Sequence, residues 1–141
     1  IYSQYYGSLT MRDVFLRGNS AVTGGGMCNF ESCGPTLINV VVSGNTATWG
    51  GGIYNRLSFP KLTNAIVSGN TAQRGGGIYN QYQSVPSLAQ VTLSGNRATG
   101  EGGGIYNSAS SPALVNSILW GNQAGSGPQA VQWVDIGVEG L

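Results

Sequence analysis

The sequence predicts a right-handed parallel β-helix, a β-solenoid of about five 26-residue coils, and three observations carry that prediction. A nine-residue segment recurs with its first residue at Met11, Leu37, Leu62, Leu88 and Leu114, intervals of 26, 25, 26 and 26. Glycine triplets follow in register at 24–26, 50–52, 75–77 and 102–104. A proline stands two residues before each new segment, at Pro35, Pro60, Pro86 and Pro112.

Each unit is too short for a strand–helix–strand element and none of it has helical period. Its aliphatic residues sit in short β-branched stretches interrupted by Gly-Asn, Gly-Gly-Gly and Pro, which reads as strand, turn, strand, turn. One such unit cannot bury its apolar face alone. Stacking in register solves this, since each strand then pairs with its equivalent ~4.8 Å along the axis and like residues form columns. Met11/Leu37/Leu62/Leu88/Leu114 and Leu16/Val42/Val67/Leu93/Leu119 are always apolar and are expected to point inward. Met27/Ile53/Ile78/Ile105/Val131 is expected to form a third inward column on another face.

The corners follow the same logic. Asn19, Asn45, Asn70, Asn96 and Asn122 each close a Gly-Asn pair, a place suited to left-handed backbone, and stacked amides can hydrogen-bond along the axis as a structural ladder. Alanine two residues later (Ala21, Ala47, Ala72, Ala98, Ala124) is small enough for a narrow turn. Proline ahead of a strand loses an N–H where it costs least. The stretch between each Asn29-type position and the next proline varies most and is read as a surface loop.

The whole chain, 1–141, reads as a single solenoid domain: a partial coil at 1–8, coils at 9–36, 37–61, 62–87 and 88–113, and a divergent terminal coil at 114–141. Ile1 fits the slot of Ile53, so the chain begins inside the pattern, as a processed chain or a fragment does. In the last coil the triplet becomes Gly125-Ser126-Gly127-Pro128, and from Val134 to Glu139 the residues alternate as in a strand.

Composition narrows the function. Six basic and five acidic residues give a net charge of +1, and histidine is absent. The cations are scattered, whereas nucleic acid and anionic membrane both require clustered positive charge. No apolar run approaches the ~20 residues of a membrane helix, so no direct membrane span is expected. Cys28 and Cys33 are too isolated for a zinc or redox motif and are expected to form a local disulfide in an exported protein, the alternative being two free thiols.

Gly-Gly-Gly-Ile at 50–53, 75–78 and 102–105, with Val-Ser-Gly-Asn at 42–45 and 67–70, resembles the repeats of polymorphic-outer-membrane-protein-like β-helix proteins. The family's Gly-Gly-Ala-Ile and Phe-x-x-Asn elements appear here with glycine third and with Leu16, Val42, Val67, Leu93 or Leu119 in place of phenylalanine. The resemblance covers essentially the whole chain. It implies export and a place among adhesins, passenger domains and surface stalks.

Catalysis would need paired carboxylates or a carboxylate cage for Ca²⁺. Asp13 shares a column with Asn39, Asn64, Gln90 and Asn116; Glu31 and Glu101 occupy different slots; Asp135 and Glu139 lie in the divergent tail without a basic partner. No catalytic residue, metal site or cofactor is therefore assigned. The glycine triplets read as structural corners, since a phosphate cradle would need a following helix and lysine. Tyr54, Tyr79 and Tyr106 form an outward column with Tyr2, interrupted at Cys28. They are the ligand-binding candidates, able to stack on sugar rings, and the competing reading is that they shield the glycine backbone beside them.

The expected function is a non-catalytic, extracellular or cell-surface structural solenoid: a stalk, adhesin segment or self-stacking filament subunit. Its expected partners are further copies, joined end to end through exposed coil edges, together with glycans or a host or cell surface. The alternative is a carbohydrate-binding or polysaccharide-cleaving β-helix working through its loops or flanks.

Overall fold

A computed structural model describes residues 1–132, with the side chains of Val131 and Gln132 left aside; the expected strand from Val134 to Glu139, with Asp135 and Glu139, lies outside the described residues. The described chain is all strand and turn, wound so that each strand pairs in parallel with its equivalent one coil away. None of its elements is a helix long and apolar enough to cross a membrane.

Four parallel sheets form the walls. Sheet I stacks Tyr2–Gln4, Met27–Phe30, Ile53–Arg56, Ile78–Gln81, Ile105–Ser108 and Ala130–Gln132. Sheet II stacks Thr10–Arg12, Thr36–Ile38, Lys61–Thr63, Ser87–Ala89 and Ala113–Val115. Sheet III stacks Phe15–Arg17, Val41–Ser43, Ile66–Ser68, Thr92–Ser94 and Ile118–Trp120. Sheet IV stacks Ser20–Thr23, Thr46–Trp49, Thr71–Arg74 and Arg97–Glu101. The strands are three to five residues long, so each sends only one or two side chains inward.

Those inward residues make one continuous core. Leu37, Val42, Ile53, Leu62, Val67, Ile78, Leu88, Leu93 and Ile105 are at most 1% exposed, which places all three expected columns in the interior. A fourth inward column, Val14/Val40/Ala65/Val91, comes from the corner between sheets II and III. In the last described coil Ser117 takes that slot, and its hydroxyl accepts from the Val91 amide and shares its one proton between the Val115 and Leu88 carbonyls, at 3.0 and 3.2 Å.

Two expectations about register change. The Gly-Asn asparagines are not the left-handed residues; Gly18, Gly44, Gly69, Gly95 and Gly121 are, with φ between +60° and +67°. Nothing lies within 4 Å of a Cβ placed there, so glycine serves the backbone angle and the asparagine side chain is free to turn inward. The left-handed polar column is instead Asp13, Asn39, Asn64, Gln90 and Asn116, at φ +49° to +56°. Likewise Ala130, not Val131, continues the Ile column: Ile105 pairs with Ala130 and Tyr106 with Val131. The shortened Gly-Ser-Gly-Pro corner takes one residue out of that coil, and Ala130 packs against the core. The preceding coil has one extra residue, absorbed as a register shift between Ala72 and Arg74 where sheet IV pairs with Arg97–Glu101.

Candidate functional site

Strand alternation sorts the Ile-Tyr-Asn triplets of sheet I. Isoleucine enters the core and tyrosine leaves it. The asparagine turns in again and forms a buried chain in which Asn29, Asn55 and Asn80 each donate Nδ2–H to Oδ1 of the next coil's asparagine at 2.8 Å. The sequence carries this recurrence, and the inward turn of the buried amides makes it a second ladder. The expected ladder is also present. Asn45, Asn70 and Asn96 each send both the main-chain N–H and the side-chain Nδ2–H to Oδ1 of the next member, at 2.9–3.0 Å. They also donate to the Leu16, Val42 and Val67 carbonyls one coil back.

The tyrosine candidates are brought together, but on one another. Ring centroids run Tyr2–Phe30 6.5 Å, Phe30–Tyr54 6.4 Å, Tyr54–Tyr79 5.4 Å and Tyr79–Tyr106 4.8 Å, all stacked. Tyr54, Tyr79 and Tyr106 are only 5–6% exposed, so their faces pack against neighbouring coils and are not presented to a sugar. Their bases press on the glycine corner: a Cβ added to Gly75 or Gly102 would lie 2.8 Å from Cβ of Tyr79 or Tyr106. Tyr54 donates its hydroxyl to Gln81 Oε1 at 2.6 Å. Burial, reinforced by Tyr79, pushes its phenol up to about 12.

Cys28 and Cys33 are free, buried thiols, which corrects the expected disulfide. Cys28 occupies the tyrosine column of sheet I and lies 3.7 Å from Thr23 Oγ1, and burial pushes its thiol pKa up. Cys33 sits beyond the left-handed pair Glu31-Ser32, where the next coils place Ser58 and Ser84. Like those serines it caps a nearby carbonyl, donating to Phe30 O at 3.1 Å, while Ser58 and Ser84 donate to Arg56 O and Gln81 O.

The described carboxylates are dispersed. Asp13 accepts from Asn39 Nδ2 at 3.0 Å, and Glu101 pairs with Arg74 at 3.1 Å. No group of three His, Cys, Asp or Glu able to hold a metal occurs among the described residues. An open cleft of about 450 Å³, lined by residues including Ile1, Tyr2, Ala21, Thr23 and Cys28, contains no carboxylate and no cationic side chain.

What sequence reading missed is the corner after sheet I. There Tyr5, Tyr6, Glu31, Ser32, Leu57, Tyr82, Gln83 and Ala109 adopt φ of +49° to +60°. Left-handed backbone turns bulky side chains outward: Tyr5, Tyr6 and Tyr82 are 64%, 83% and 50% exposed. Beside them, Arg56 places its guanidinium carbon 4.6 Å from the Phe30 ring centre and 5.1 Å from that of Tyr82.

Residues 39–56 and 90–108 match the Chlamydia polymorphic membrane protein repeat. Each match runs from a left-handed Asn39-type position through the Gly-Asn ladder and the glycine corner to the end of a sheet I strand. No curated protein and no solved structure gives a significant match.

Proposed function

For a chain built of repeats of the Chlamydia polymorphic membrane protein type, we propose a non-catalytic β-solenoid displayed at an outer membrane or cell surface, as a stalk, adhesin segment or self-stacking filament subunit. The observation that carries this reading is the commitment of its recurring polar side chains to neighbouring coils. Two buried asparagine ladders run along the axis, and the tyrosines stack instead of opening onto a cleft. Such columns add rigidity with every coil, which suits a spacer or a display surface. Asp13 and Glu101 are likewise engaged by Asn39 of the next coil and by Arg74 of the preceding one.

Antibody raised to the purified chain tests the location. Labelling of intact source cells supports surface display, and labelling only after permeabilisation overturns it. Electron microscopy of the purified chain at high concentration separates filament subunit from stalk or adhesin segment, since only dispersed particles would remove the self-stacking role. The second reading, a carbohydrate-binding module, is favoured by the exposed aromatic residues of the left-handed corner.

A further inference from the structure

Arg56 is held in an unusual state for a cation on this protein. Its register neighbours are Phe30 one coil before and Gln81 one coil after, and Tyr82 follows Gln81. The guanidinium thus lies between two rings from the coils on either side, at 4.6 and 5.1 Å. The two rings flank the guanidinium, whose edge carries all five N–H donors. Among the described residues that edge makes no ion pair and no hydrogen bond. Arg74, by contrast, rests on Tyr106 at 5.7 Å but is neutralised by Glu101 at 3.1 Å.

Gln81 adds a second donor at the same place. Its Oε1 accepts from Tyr54 at 2.6 Å, which fixes the amide, and among the described residues Nε2–H₂ makes no hydrogen bond. Half-exposed Tyr82 and Phe59, at 50% and 48%, stand on the same corner. A planar, pre-oriented guanidinium matches a carboxylate or sulfate in bidentate fashion, and exposed aromatic rings match the apolar face of a pyranose.

We propose that this corner is a binding site for an acidic glycan. The sugar's carboxylate or sulfate accepts from the Arg56 edge and the Gln81 amide, and its ring lies against Tyr82. Surface display, the reading above, is needed only for the site to meet such a ligand; binding itself is tested on the purified chain.

The probe is a chondroitin hexasaccharide, unsulfated and sulfated, compared with its carboxyl-reduced unsulfated form and with inorganic sulfate alone, by titration calorimetry. The expected result is that the acidic hexasaccharides bind at least tenfold tighter than the reduced form and than free sulfate. Arg56→Gln should lose tenfold or more, and Tyr82→Ala several-fold. Arg97→Gln, the same charge change at an exposed site without stacked rings, should lose less than twofold. Arg56→Lys keeps the charge without the planar fork and should lose nearly as much as Arg56→Gln. Circular dichroism confirms that each variant compared is folded. Absence of binding, equal binding of acidic and reduced sugars, equal binding of free sulfate, or equal losses for the Arg56 and Arg97 variants would each overturn the proposal.

Discussion

Asn70 Nδ2 donates to Asn96 Oδ1 at 2.9 Å, and the main-chain amide of Asn70 donates to that same oxygen at 3.0 Å. Both residues are fully buried, so one carbonyl oxygen satisfies two donors of the coil above it. Asn70 in turn accepts the same pair from Asn45. Replacing Asn70 with Ala leaves the Asn45 main-chain N–H and one Asn45 Nδ2–H without their acceptor, and takes one donor each from Asn96 Oδ1 and the Val42 carbonyl. Each stranded buried donor costs about 1–3 kcal/mol. A loss of roughly 3–5 kcal/mol is expected by urea unfolding, against less than about 1 kcal/mol for Ala at exposed Asn19.

The inner asparagine chain is unfinished, and completing it should stabilise the protein. Among the described residues Asn29 Oδ1 is buried without a hydrogen-bond partner, because its register neighbour in the preceding coil is Ser3. Asparagine fits this slot in later coils even beside Ser58 and Ser84, whereas here the adjoining slot holds only Gly7. Ser3→Asn should therefore gain about 1 kcal/mol, read as a rise of a few degrees in Tm. An unchanged or lower Tm would mean the oxygen is satisfied in another way.

Glycines in this chain divide into two kinds that one substitution distinguishes. A Cβ at Gly76 would meet Arg97 O at 2.5 Å and Gly103 O at 2.6 Å, both main-chain atoms of the next coil. At Gly69 it would meet nothing within 4 Å. Gly76→Ala must push coils apart and should abolish soluble folded protein. Gly69→Ala bears only the left-handed penalty of about 1–2 kcal/mol. Similar yields and Tm values for the two would contradict this assignment.

Alkaline pH should weaken the fold through the aromatic stack. Burial raises Tyr54 from 10.0 to about 12 and raises Tyr79 as well. A phenol whose folded pKa exceeds its unfolded value keeps its full stabilising contribution below the unfolded value, then loses it as pH rises through the folded one. Denaturant midpoints should hold to about pH 10 and fall between pH 10 and 12. Tyr54→Phe should make that fall shallower, and an identical slope would assign the alkaline loss elsewhere.

Thiol chemistry gives a direct check on the cysteines. Cys28 and Cys33 are free and at most 3% exposed, so a disulfide-exchange reagent should react with both thiols only after unfolding, with no reductant present. Reductant should leave Tm unchanged. Cys33→Ser, which copies Ser58 and Ser84, should cost less than about 1 kcal/mol.

Periodicity made the core readable, because a residue that recurs at one slot of a stacked coil must share its environment with its copies. Leu37, Val42 and Ile53 were placed inward on that basis alone. The same reasoning could not tell which member of a Gly-Asn pair would be left-handed, since both recur equally; an open corner at Gly69 and an inward amide at Asn70 are three-dimensional facts. Arg56 was passed over for the opposite reason. Its column reads Gln4, Phe30, Arg56, Gln81, Ser108, and a slot that never repeats gives no periodic signal.

The sequence by itself determined the solenoid, its coil length and the asparagine ladder, because stacking identical units is the way such short strands bury their apolar faces. The tertiary structure decided what the variable residues do. Stacking from adjacent coils buried tyrosines that alternation alone would expose. It placed Cys33 in a serine slot and put Arg56 between Phe30 and Tyr82. Such contacts depend on spacing across coils and on left-handed corners, neither of which is written into any single repeat.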